Sequence, residues 1–173
     1  CGVGRTGKFL AVDWVKKLEP NIVSIAKGIG GGFPLGALLL DAKVSKSMTK
    51  GSHGSTFGGN PLGMAVAEVV LNNVIKEDFL DHVREVGFNL RKSLMENIVK
   101  KYPKLVSGVR GIGLMIGLEA VVDNAILIKA LRNERLLTVK AGFNVIRMLP
   151  PLILEMKHVD EAIQKIDKAL GGI

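Results

Sequence analysis

Ile22-Val23-Ser24-Ile25-Ala26-Lys27-Gly28-Ile29-Gly30-Gly31-Gly32-Phe33-Pro34 is the stretch on which the fold turns. The first five residues, apolar except for Ser24, read as a short buried strand, and the glycines beyond Lys27 open it into a loop. Lys27 stands at the joint and presents one amine at a sheet edge, where small flanking backbone lets a flat ligand come close. Partial removal of a lysine from water favours its neutral, nucleophilic form, so this placement suits a Schiff-base nucleophile. The alternative is a surface lysine that ends a strand before a flexible loop, a common place for a charge.

Composition narrows the field. A chain of 173 residues is long enough for one ordinary domain or for parts of two. With 47% hydrophobic and 23% charged residues it is globular rather than disordered. No apolar stretch reaches the length of a membrane span, and the first residues lack the charged and apolar regions of a signal peptide. A single cysteine, Cys1, excludes an internal disulfide framework and suits the cytoplasm. The formal charge of +8, from 24 Lys+Arg against 16 Asp+Glu, raises the question of nucleic acid. Yet the charges are dispersed and aromatics make up 5%, without aromatic-basic interleaving, so the basicity reads as solvated surface with some bias toward anions. The chain opens at Cys1 directly into a glycine-rich turn, which reads as a piece of a longer protein.

Of the 21 glycines, 13 lie in residues 1–63, so the first part reads as loops and short strands approaching something closely. Pro61 to Ile75 reads as an apolar, well-buried helix, with Asn60 as N-cap and Pro61 at its first position. From Asp78 to about Lys101, Phe79, Leu80, Val83, Val86, Leu90, Leu94 and Ile98 recur at helical spacing, and Tyr102-Pro103 stops the helix. Val109 to Glu119 reads as one glycine-punctuated strand, and Ala125 to Arg135 as a short helix. Leu136 to Val139 and Val145 to Met148 read as two further strands, antiparallel to the first. His158 to about Leu170 closes the chain as an amphipathic helix. The fold class is α/β, with a boundary near residue 74: residues 1–73 as the remnant of an α/β domain, and 74–173 as a compact α+β domain with a short antiparallel sheet.

Gly2-Val3-Gly4-Arg5-Thr6-Gly7 satisfies G-x-G-x-x-G, but the segment that follows reads as extended rather than helical. The P-loop pattern fails because Phe9 stands where a hydroxyl should follow Lys8. Nucleotide binding is therefore disfavoured. The loop Gly51 to Pro61 is more informative, with Ser55 and Thr56 among glycines just before a helix start. Backbone N–H groups, a hydroxyl and the helix dipole there could face a phosphate, or the loop could simply carry an N-cap. His53 has no second ligand at metal spacing, so no metal site is expected.

Taken together, five ordered blocks resemble the class III pyridoxal-phosphate aminotransferases, the acetylornithine enzymes more than the ornithine ones. They are Gly2 to Phe9, Ile25 to Ala37, His53 to Leu62, Val109 to Gly117 and Asn144 to Leu152. The resemblance spans nearly the whole chain and implies the C-terminal part of a fold-type I enzyme. It implies pyridoxal 5'-phosphate as cofactor, a small-molecule amino donor and a 2-oxo acid as substrates, and a homodimer when full length, with neither nucleic acid nor membrane as partner. By that resemblance Lys27 is the lysine that joins the cofactor and shuttles the proton between substrate and cofactor. Thr56 touches the cofactor phosphate of the neighbouring subunit, Ser55 lies beside the substrate, and Arg147 holds a substrate carboxylate. Judged without the resemblance, Arg147 is a surface charge at a strand end.

The family's acidic partner of the pyridinium nitrogen lies upstream of Cys1, as do its ring-stacking aromatic, main phosphate-binding turn and second substrate arginine. The chain alone is therefore expected to have little or no transaminase activity, and a non-catalytic remnant with weak anion binding is the alternative. Smaller departures are Asn21 for a usual aspartate, Phe143 for a usual polar residue, and Arg135 where glycine is common. The turn at Arg135 is strained if it needs positive φ.

Overall fold

The computed structural model describes residues 1–173. It separates into two compact units: Cys1–Gly4 with Lys8–Leu80, and Arg5–Gly7 with Asp81–Ile173. The exchange thus falls at Leu80/Asp81, beyond the position near 74 at which composition changes, and three early residues belong to the second unit. No helix is long and apolar enough to cross a membrane.

In the first unit, β1 (Ile22–Ala26) runs antiparallel to β2 (Gly36–Leu40), from Ile22 opposite Leu40 to Ala26 opposite Gly36. A four-residue helix α1 (Ala42–Ser45) follows, started by Asp41, whose carboxylate accepts from Val44 N. The helix α2 (Pro61–Val74) begins as the sequence reading expects: Asn60 Oδ1 accepts from Gly63 N at 2.7 Å, and Pro61 occupies the first turn. Two expectations of burial fail. β1 has a partner on one side only, so Ile25 alone of its residues is buried. α2 is apolar nearly all round but buries only Gly63, Ala67 and Val74. Its apolar composition exceeds what one contact face can cover, and Leu62 and Val69 stay exposed. The core of this unit is small: Val3, Ile25, Ile29, Ala67 and Val74, ringed by half-buried apolar side chains such as Leu35 and Val70.

The second unit has the larger core. In α3 (Glu77–Ser93), which continues into a π-helical turn at Leu94–Val99, the predicted stripe faces inward. Leu80 (in the first unit), Val83, Val86, Leu90, Leu94 and Ile98 are all buried. The stretch read as one strand is instead a hairpin, β3 (Val106–Ile112) and β4 (Met115–Ala120), paired from Ile112 opposite Met115. Gly111 and Gly113 both have positive φ, 131° and 54°, so the chain reverses where an alternation count sees only glycine punctuation. After α4 (Asn124–Asn133), β5 (Val139–Ala141) and β6 (Val145–Met148) complete an antiparallel sheet ordered β3-β4-β6-β5, and α5 (Met156–Gly171) ends the chain.

The segment 136–138, expected as strand, is used otherwise. Leu136 N donates to Leu131 O at 2.9 Å and Arg135 N to Arg132 O at 2.9 Å. This six-to-one and five-to-two pair closes α4 with its penultimate linking residue, Arg135, at φ 58°. The strain expected at this position is therefore present. At the far end of the sheet Asn144, also at positive φ, donates from Nδ2 to Ala120 O and Val122 O and accepts from Asn124 N through Oδ1. One side chain thereby holds the start of β6, the end of β4 and the start of α4. Tyr102 OH and Lys101 Nζ both donate to Asp167 Oδ1, at 2.9 and 2.6 Å, which ties the end of the π-helical turn to α5. These two donors, Lys101 first, hold the Asp167 carboxyl below the usual carboxylate range.

A Cβ on Gly87 would run into the carbonyl of Gly113, and one on Gly113 would stand 2.5 Å from Thr6 C. Gly87→Ala should therefore destabilise the second unit by about 2–3 kcal/mol, because backbone rather than a flexible side chain has to move. A denaturation midpoint unchanged by this substitution would contradict the close approach. Arg135→Gly should stabilise by about 0.5–1 kcal/mol, since the left-handed region costs a side-chain-bearing residue about 1–2 kcal/mol and the greater freedom of unfolded glycine returns part of it. Urea denaturation monitored by circular dichroism reads both.

Candidate active site

β1 delivers its chain end to Lys27, the first residue of a 3-10 turn, Lys27–Gly30. Lys27 itself has φ 56°, a conformation that a side-chain-bearing residue holds only where its surroundings fix it. Those surroundings are glycine and apolar contact. Gly31 N donates to Gly28 O at 3.1 Å, Gly31 has φ 54°, and Phe33 N donates to Gly30 O at 2.8 Å. A Cβ on Gly28 would stand 3.2 Å from Val3 Cβ, so the turn rests on the N-terminal segment.

A cavity of about 470 Å³ opens at this point, between the ends of Cys1–Val3, Leu10–Val12 and β1. Its size lies within the range of small-molecule sites. Lys27 is the one charged side chain among its lining residues, most of which are apolar in type, while backbone polar groups share the cavity surface. Lys27 is exposed, so the burial that the sequence reading associates with its amine is not supplied by these 173 residues. A lysine lining a cavity of this size, with both apolar and polar wall, fits covalent attachment of a flat aromatic aldehyde such as pyridoxal phosphate. Ser55 and Thr56 do not line the cavity. They sit in the exposed loop before α2. The first turn of α2 offers an anion little, because Pro61 has no N–H and Gly63 N is committed to Asn60. Phosphate contact from this loop would rest on the hydroxyls and the loop's own N–H groups.

Arg147 belongs to the second unit. It lies on β6 between Gly117 of β4 and Val139 of β5, exposed, and has neither an ion-pair nor a hydrogen-bond partner. An arginine with five unspent donors in the middle of a sheet face is placed for an anion. Two further groups escape the sequence reading. Arg5 Nη1 donates to Pro150 O at 2.6 Å and Leu114 O at 3.2 Å, holding the loop after β6. Its burial pulls the affinity of the guanidinium for its proton below the ordinary arginine value. Arg110 lies in the same cross-strand row as Arg147. No sequence pattern marks either, because both depend on strand register and on a carbonyl far along the chain.

Residues 1–170 match the family model of the class-III aminotransferases. The acetylornithine aminotransferase of Brucella melitensis is 49% identical over 169 residues, which are 98% of this chain and 41% of that protein. The corresponding protein of Bacillus cereus is 43% identical, over 98% of this chain and 43% of its own length. Among solved structures, the N-acetylornithine aminotransferase of Stenotrophomonas maltophilia superposes with a TM-score of 0.86 at 32% identity, over 99% of this chain and 44% of that one. The ornithine aminotransferase of Toxoplasma gondii gives 0.89 at 30%, over 99% and 41%. The chain thus spans about two fifths of the length of the relatives it matches. A lysine at the end of β1 with its glycine turn, a hydroxyl loop before α2 and an unpartnered sheet arginine occur in sequence order within that match, and the chain belongs to the class-III aminotransferase family.

Proposed function

We propose that this chain is the lysine-bearing part of a pyridoxal-phosphate-dependent aminotransferase that moves an amino group between N-acetylornithine, or a related ω-amino substrate, and 2-oxoglutarate, in cytoplasmic arginine biosynthesis. The observation that carries the reading is Lys27, in a left-handed conformation directly before a glycine-rich turn and lining a cavity of about 470 Å³. Bound pyridoxal phosphate supplies the electron sink for this chemistry. Lys27 holds the cofactor and, once released, its amine takes and returns the proton at the substrate α-carbon. Val3, Leu10 and Ile25 give the cavity apolar side chains against which a flat ring could lie. Arg147 clamps a substrate carboxylate through its fork.

Thr56 does not line the Lys27 cavity, which suits a hydroxyl serving the cofactor phosphate of a second subunit. Ser55 next to it serves the substrate. The exposed apolar residues of the first unit, with Phe57 80% and Val69 64% accessible, suit a homodimer in the intact protein. The chain by itself is inactive in this reading, because Lys27 is the one charged side chain on its cavity and no acid faces it to stabilise a protonated ring nitrogen. That same absence favours the second reading, a non-catalytic remnant with weak anion binding.

The test is a chimera that joins these 173 residues to the upstream part of the Brucella melitensis relative. Borohydride treatment with pyridoxal phosphate should leave a stable covalent link at Lys27, located by peptide mass spectrometry. Lys27→Ala should remove it and lower turnover by several orders of magnitude, since attachment and proton transfer are lost together. A folded chimera that takes up no cofactor at Lys27 would favour the remnant.

A further inference from the structure

One face of the second unit's sheet carries two arginines on either side of a glycine. The register places Arg110 of β3 opposite Gly117 of β4, and Gly117 opposite Arg147 of β6. The two arginine backbones are two strand spacings apart, roughly 10 Å. The side chain of Arg110 closes much of that gap by lying across Gly117. A Cβ on Gly117 would stand 2.8 Å from Val145 Cγ1 of β6, 3.5 Å from Arg110 Cγ and 3.8 Å from its Nε, so the space directly over the glycine is filled and the open surface lies outside it. Glu119, two residues along β4, leans the opposite way, and a Cβ on Gly108 would stand 2.8 Å from its Oε2. Arg110 and Glu119 therefore lie flat in opposite directions, each over a glycine.

Their ion pair is loose. Nε and Oε1 are 3.6 Å apart, too far for a hydrogen bond, and the two side chains are 52% and 40% accessible. Arg147 has no partner at all. Strand register thus sets two exposed arginines on one sheet face, on either side of Gly117, an arrangement of like charges that an anion between them would relieve. A carboxylate there receives donors from both sides, and Glu119 is the group it must displace.

We propose that Arg110 is a second carboxylate-binding arginine, gripping together with Arg147 one carboxylate of the acid substrate on the open face outside Val145 and Gly117, with Glu119 as its counter-ion in the empty state. The proposal rests on the reading of Arg147 as the carboxylate clamp and adds a specificity-determining partner to it. Affinity is then set by two forks instead of one and is opposed by a resident acid.

Titration of the 173-residue chain with 2-oxoglutarate, followed by arginine Nε–H NMR signals, tests it. Arg110→Gln should weaken binding about tenfold, as expected for one lost charge-assisted hydrogen bond. Glu119→Gln should strengthen it, about threefold, by removing a weak exposed competitor. That gain is one a merely structural ion pair would not produce. Should Arg110→Gln fail to fold, Arg110→Lys, which keeps the charge without the fork, and Glu119→Gln decide the matter. A loss on Arg147→Gln with none on Arg110→Gln would overturn the role of Arg110 and leave the Arg147 clamp standing. A loss on Arg110→Gln with none on Arg147→Gln would overturn the shared grip and the clamp together. Binding that weakens on Glu119→Gln, or no binding by the unaltered chain at millimolar ligand, would also sink the proposal.

Discussion

Three backbones meet at Gly113, and the second unit depends on that meeting. The turn of the β3–β4 hairpin approaches α3 at Gly87 so closely that no Cβ fits between them, and Thr6 comes up against Gly113 itself. Leu114 N, beside the turn, donates to Arg5 O at 3.1 Å, and Arg5 reaches on to Leu114 and Pro150 carbonyls. Where backbones touch, position is fixed to a few tenths of an ångström, because nothing flexible lies between them. The hairpin is thereby set against α3. With β4 in the middle of the sheet, the register of β6 then decides which residues stand beside Gly117.

The chemistry of the first unit follows from a different constraint. β1 ends in a residue forced to positive φ, and only a glycine-rich turn can follow it at once without further strain. Lys27 stands at that change of backbone direction and is among the residues that line the cavity. The small core of five buried side chains beneath it leaves much apolar surface on α2 and the loop before it uncovered. A site of this kind is built from backbone conformation more than from packing, and glycine content is where it is legible.

The parts of the fold that periodicity can see were legible. α3 and α5 bury most of the stripes their apolar spacing predicts, with Phe79, Ala162 and Ile163 half-buried, and Asn60 and Pro61 start α2 by the donor arithmetic of any helix end. Reading fails where one pattern serves two geometries. Glycine punctuation from Val109 to Glu119 fits a continuous strand or a hairpin, and only the positive φ at Gly111 and Gly113 distinguishes them. Likewise the apolar run Leu136–Val139 looks like strand, while its first residue is spent on closing α4.

Sequence by itself determined the family blocks and the lysine before a glycine-rich turn, since each is a local pattern of residue type and spacing; the roles expected of the hydroxyl loop and of Arg147 came from the family resemblance alone. At Arg135 it marked only a condition, strain if the turn needs positive φ, and the structure met it with φ 58°. Tertiary structure alone decided that Arg110 and Glu119 lie flat over glycines beside Arg147, and that Arg5 grips carbonyls more than a hundred residues away. The physical reason is register. A strand's neighbours are set by turn geometry and by backbone contact at sites remote along the chain, and a shift of one residue would have turned every one of these side chains to the opposite face.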